Sequence, residues 1–341
     1  MVNFSIAYEV IFISIQQKNI NLISEIIEEK TTRIFDKRNV ILLKINEDDL
    51  NSFLVDMDIE DSGISKFMLD ELSSAIINTI PEYVFAHYED PFIPQNETVD
   101  KLREAAKCIY KVKDYDLMRK FYLEKDESVI SEIKKSKSAT RGEFGELLLH
   151  LLLREFKKTI PLISKVYFKD SSGVPAHGFD SVHVSPNEGI LWLGESKFYT
   201  DSKRGIDELI IDLSNHFKKD YLEEQFIIVK KNLENNKIPQ RDKWINKLAS
   251  CNKLKERISI INIPLLCIYD DNIYQDFPDI NCQQATACHE KDIRSLKRYF
   301  DDKNNHPLKE QLNIILMLFP IKNKKELVTK LHERLWHMQN M

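Results

Sequence analysis

The chain has 341 residues, a formal net charge of -5, 43% hydrophobic and 30% charged residues, a balance that excludes a disordered or collagen-like chain. At about 100 to 200 residues per domain, two domains, or one with a large extension, are expected. Apolar stretches such as Ile314 to Phe319 fall short of the ~20 residues of a membrane-spanning helix, and the N-terminus has no secretion signal, so a cytoplasmic protein without a membrane partner is expected.

Residues 1 to 130 hold 15 Lys and Arg against 25 Asp and Glu, whereas 131 to 341 hold 34 against 29, so the second half is the better candidate for a polyanion partner. From the N-terminus the pattern predicts a strand over Val2 to Ile15, an amphipathic helix over Leu22 to Phe35 and a second strand over Val40 to Ile45. Helix is predicted from about Leu50 to Ile133, broken at Pro81, Pro91 and Pro94. No assembled site is visible there. Residues 1–136 are expected to be an acidic, mostly helical accessory or docking domain, and 137–341 a catalytic domain with its core at 138–270.

Seven of the eight glycines lie between Gly142 and Gly205, and glycine marks close approach or unusual backbone. The window predicts a buried helix over about Thr140 to Lys158, ended by Pro161. Strands are predicted over Leu162 to Lys169, His177 to Ser185 and Ile190 to Tyr199. Helices over Ile206 to Glu224 and Asp242 to Ser250 follow, then a strand over Ile258 to Tyr269. The order is α-β-β-β-α-β. A helix around Lys291 to Phe300, an apolar run ending at Pro320 and a terminal helix capped by Asn323 and Glu326 complete the chain. The five cysteines form no C-x-x-C, and Cys282, Cys288 and His289 match no structural zinc spacing, so free thiols are expected.

Glu195-Ser196-Lys197 ends the third predicted strand, where alternation puts Glu195 and Lys197 on one face and Ser196 on the other. An E-x-K string alone is most simply a solvated charge pair. The preceding strand adds Asp180 in an otherwise apolar run after Gly178. If Pro186 to Gly189 is a four-residue loop, Ser185 pairs with Ile190 and Asp180 falls opposite Glu195, with Cβ atoms ~4.5 to 5.5 Å apart. Two facing carboxylates repel unless a cation sits between them. Few, hard oxygen ligands with room for water and phosphate point to Mg2+, with Mn2+ as a substitute. Gly178, opposite Lys197, leaves room for the ammonium and a phosphate, and Lys197 would orient or help deprotonate a metal-bound water.

Glu143, Glu146 and His150 line one face of the leucine-rich helix; they are either a solvated first turn or, for Glu146, support for the metal site. His177 and His183 bracket Asp180 as a rival metal set, but on a strand they do not share its face. Serine hydrolase, P-loop and simple dinucleotide-binding motifs are absent.

Glu146, Asp180 and Glu195-x-Lys197, in an α-β-β-β-α-β order, resemble the PD-(D/E)xK superfamily of restriction-endonuclease-like folds, with Phe179 in place of the proline before the aspartate. The strings Arg141-Gly142-Glu143-Phe144-Gly145-Glu146, His177-Gly178-Phe179-Asp180-Ser181 and Leu193-Gly194-Glu195-Ser196-Lys197-Phe198-Tyr199 are similar to those of the HamA family, nuclease subunits of bacterial Hachiman anti-phage defence. The resemblance is strongest over 138 to 270. It implies an α/β nuclease with a central mixed sheet that cuts DNA beside a superfamily-2 helicase partner, HamB. It also implies Asp180, Glu195 and Glu146 as metal ligands and Lys197 as the catalytic lysine. A structure-specific or RNA-directed nuclease of the same fold, or a non-catalytic nucleic-acid-binding adaptor, are the alternatives.

Overall fold

Asn46-Glu47-Asp48-Asp49 separates two apolar runs and folds the chain back, so that β1 (Ile41–Asn46) and β2 (Leu50–Val55) pair antiparallel. The structure, a computed structural model, describes residues 40–85, 95–109, 120, 142–164, 178–185, 187–235, 241–250 and 253–341, all within one unit spanning 40–341. A small ribbon, β3 (Met57–Ile59) and β4 (Ser65–Phe67), precedes helices α1 (Leu69–Asn78), α2 (Ile80–Phe85) and α3 (Thr98–Ile109). Helix α4 (Glu143–Lys157) leads into β5 (Ile160–Ser164), β6 (Ser181–Ser185) and β7 (Ile190–Phe198). Helices α5 (Ser202–His216), α6 (Lys219–Asn235), α7 (Arg241–Ser250) and α8 (Leu254–Ile258) then carry the chain to β8 (Ile261–Asp270). Helices α9 (Ile273–Asp276) and α10 (Gln283–Lys303), strand β9 (Asn313–Ile321) and helix α11 (Lys324–Gln339) end it.

Among the described residues seven strands form one mixed sheet in the order β1-β2-β9-β8-β7-β6-β5. Strands β2, β9, β8 and β7 are mutually parallel, while β1 at one edge and the β6 and β5 meander at the other pair antiparallel. Among the described residues β5 is an edge strand, where Pro161 sacrifices no interior ladder bond. Helices cover both faces, which is why β8 and most of β9 are buried apolar runs without alternation. Helix α4 packs on the face bearing Gly194 and Ser196: a Cβ on Gly194 would come within 2.9 Å of the Leu149 side chain. Helix α11 joins that side through Phe144 against His332, at 5.1 Å. Helix α5 lies on the opposite face, over Cys267, the register partner of Lys197, and α10 packs beside it through Tyr299, whose hydroxyl donates to Asp207 at 3.0 Å.

Leu50–Val55 is strand where helix is expected. All six residues are buried between β1 and β9, so the two-residue alternation that marks a half-exposed strand is missing. The polar pair is accommodated by hydrogen bonds: Asn51 Nδ2 donates to Glu47 O at 3.1 Å, and Ser52 Oγ bonds His289 Nε2 at 3.1 Å. The sheet also runs across the expected boundary at 136/137, because β1 and β2 extend the sheet of the later half. Residues 41–55 are therefore part of the central sheet rather than of a mostly helical accessory region. The expected helix Ile206 to Glu224 divides into α5 and α6, and Ile258 closes α8 instead of opening a strand. The elements predicted before residue 40, and the part of the predicted strand beyond Ser164, lie outside the described residues. Among the described residues no helix is long and apolar enough to cross a membrane.

Candidate functional site

Strands β6 and β7 pair with Ser181 opposite Gly194 and Ser185 opposite Ile190, the register that a four-residue loop predicts. Asp180 stands one residue before β6, on the extension of that register toward Glu195. Its Oδ2 accepts from the Ser196 backbone N–H at 2.9 Å and from Ser196 Oγ at 3.0 Å. Asp180 and Glu195 are both buried, 7% and 2% exposed, so the carboxylate of each is oriented by protein groups rather than by bulk water.

Alternation along β7 sends Glu195 and Lys197 toward α5. There Glu195 Oε1 accepts from His216 Nδ1 at 2.6 Å, and Lys197 Nζ pairs with Asp212 Oδ2 at 2.5 Å. Asp212 and His216 are four residues apart and share a helix face. Aromatic packing fixes the His216 ring: it stacks on Tyr221 at 4.8 Å and 11°, with Phe179 edge-on at 5.7 Å. Asp201 caps α5 by accepting from the Arg204 N–H at 2.7 Å. One turn later Gly205 lets the helix approach the sheet, since a Cβ there would sit 2.5 Å from Cys267 Sγ.

Burial alone would lower the Lys197 pKa. The hydrogen bond and charge of Asp212, then the charges of Asp180 and Glu195, outweigh burial and raise it, so Lys197 is an ammonium at neutral pH.

Asp180, Glu195 and Lys197 are thus brought together. Glu146 belongs to the other side of β7: it is buried on α4 and its Oε2 accepts from the Tyr83 hydroxyl at 2.8 Å. Its neighbour Gly145 lies against Ser196, where an added Cβ would come to 3.1 Å from Oγ. Further along α4, His150 Nδ1 bonds His183 Nε2 at 3.2 Å, and Thr159 Oγ1 bonds His183 Nδ1 at 2.7 Å. Burial, then the charge of Arg154, lowers the His150 pKa to about 3, and burial first, then His150 and Arg154, lowers that of His183. Arg154 forms a buried ion pair with Glu82. Glu146 and His150 on α4 thus have buried partners, and His183 bonds His150 and Thr159 rather than Asp180; His177 lies outside the described residues.

Among the described residues no group of three His, Cys, Asp or Glu side chains could hold a metal ion. Cys282 caps α10, Cys288 faces Asp292 and His289 bonds Ser52. Sequence reasoning passes over Asp212 and His216. Their signal was the four-residue spacing of two polar groups beside the buried face of Ile206, Leu209 and Leu213.

A family model described as HamA matches residues 18–335 of the chain. No curated protein gives a significant match.

Proposed function

The chain belongs to the HamA family, a component of Hachiman defence, and from that premise we propose that it is a metal-dependent deoxyribonuclease whose active centre lies at the end of β7. The observation that carries this reading is the placement of two buried carboxylates on neighbouring strands beside a lysine: Asp180 is bonded to the Ser196 N–H, and Lys197 follows Glu195 two residues along the same face of β7. The antiparallel β5-β6-β7 meander after α4, followed by a helical crossover to the parallel strand β8, supports a restriction-endonuclease-like core over 143–270.

Asp180 and Glu195 are hard oxygen donors of the kind Mg2+ takes, with Mn2+ as a substitute; Mg2+ retains several waters, so two carboxylates are an adequate protein share. When bound, the ion would polarise the scissile phosphate and acidify a water. Lys197 would donate hydrogen bonds to the phosphate oxygens and stabilise the charge that builds on them. Ser196 keeps Asp180 in place through its N–H and hydroxyl. Exposed Lys218, Lys219, Lys231, Lys253 and Lys255, on α6 and around α8, offer a surface for the DNA backbone. Within Hachiman defence the helicase HamB is the partner that would deliver DNA to this surface.

The test is cleavage of supercoiled plasmid by the purified full chain with Mg2+, alone and with the helicase. Nicked or linear product that needs both the metal and Lys197, and is lost with EDTA or in Lys197→Ala, is the expected result. Folded protein that cuts no DNA in any of these conditions would overturn the reading in favour of a binding adaptor.

A further inference from the structure

We propose that Asp212 and His216 of α5 are positioning residues of this centre, a two-point clamp that sets Lys197 and Glu195 relative to each other. The inference rests on the nuclease reading above. Residues two apart on a strand are separated by ~6.6 Å, and residues four apart on a helix rise by ~6 Å. The two repeats match, so a helix running back along β7 can meet Glu195 and Lys197 with one residue each, provided it lies close enough. Gly205 supplies that closeness over Cys267. The result is a pair of short contacts, His216 to Glu195 at 2.6 Å and Asp212 to Lys197 at 2.5 Å.

The two ends of the clamp do different work. Asp212 draws the flexible lysine stem to one place and keeps its ammonium away from direct capture by Glu195. His216 fixes the Glu195 carboxylate through Oε1, and its own ring is fixed by Tyr221 and Phe179. A carboxylate whose plane is set before an ion arrives loses less freedom on binding, which is how outer partners of metal ligands raise affinity.

Calorimetric titration of the full chain with Mn2+ separates this role from folding, with Asp180→Asn as the reference for a lost site and thermal melting run on every variant. His216→Phe keeps a ring against Tyr221 but has no donor, and its Mn2+ affinity is expected to fall about 10- to 100-fold. His216→Asn returns an N–H donor and is expected to recover most of that loss. Asp212→Asn is expected to bind Mn2+ almost as the wild type does but to cleave with a lower kcat at similar KM. If His216→Phe binds Mn2+ like the wild type while Asp180→Asn does not bind, the clamp is overturned and the nuclease reading stands. A wild type that binds no Mn2+ overturns both.

Discussion

The Lys197 ammonium lies 2.5 Å from the Asp212 carboxylate, and both side chains are partly open to solvent, 24% and 19% exposed. An ion pair at that exposure contributes ~0 to 1 kcal/mol to stability, so its tight geometry is not explained by a need to hold the fold together. Lys197→Ala is accordingly expected to change the unfolding free energy by less than ~1 kcal/mol while lowering plasmid cleavage about 100- to 1,000-fold, the usual cost of removing one donor that stabilises developing charge. Lys197→Arg is expected to rescue little, because a planar fork does not place its charge where the ammonium sits. Urea unfolding beside a nicking assay checks both; a large stability loss in Lys197→Ala would assign the residue to the fold instead.

Gly205 controls how closely α5 approaches the sheet. Alanine in a helix interior usually gains ~1 kcal/mol over glycine, but here the new Cβ would meet Cys267 Sγ at 2.5 Å. Gly205→Ala is expected to destabilise the protein by ~1 to 3 kcal/mol through overpacking and to weaken cleavage by shifting Asp212 and His216. The double variant Gly205→Ala, Cys267→Ala removes the clash and is expected to be more stable than Gly205→Ala alone, a coupling that a thermodynamic cycle from urea unfolding measures. Strictly additive effects would mean that the helix moves for another reason.

These two relationships also mark what the sequence made legible. The β6–β7 register followed from turn chemistry and a period of two, because pairing across a hairpin is local. The same two rules direct Asp180 toward Glu195 and Ser196 to the other face. Asp212 and His216 were out of reach, because meeting β7 depends on how deeply α5 packs, and that depth is set by Gly205 and Cys267 rather than by any periodicity. Strand β2 was hidden for the opposite reason: an interior strand covered on both faces loses its alternation, so Leu50–Val55 resembled a buried helix turn.

Glu82 and Arg154 form an ion pair with both side chains buried, 8% and 7% exposed. Burial, partly offset by Arg154, raises the Glu82 pKa. Removing one partner of a buried pair leaves the other uncompensated, which costs ~3 to 5 kcal/mol. Arg154→Met is expected to lose stability in that range, and Arg154→Met, Glu82→Gln to regain much of it, as measured by denaturant midpoints. A loss under ~1 kcal/mol in the single variant would show that water reaches Glu82.

His150 and His183 meet in the same buried region, and burial keeps both neutral in the fold. The unfolded chain takes up protons on these groups as pH falls through ~6.5, whereas the folded pKa of His150 is about 3 and that of His183 is likewise lowered. Stability present above the unfolded value is therefore lost as pH falls toward the folded value, at ~1.4 kcal/mol per pH unit for each histidine. His150→Gln retains an amide able to bond His183 but does not titrate. Its unfolding free energy, measured between pH 7 and pH 4.5, is expected to fall less steeply than that of the wild type by one proton's share of the slope. Parallel slopes for the two proteins would mean that His150 is protonated in the fold, and that the His150–His183 contact is held by charge rather than by a neutral hydrogen bond.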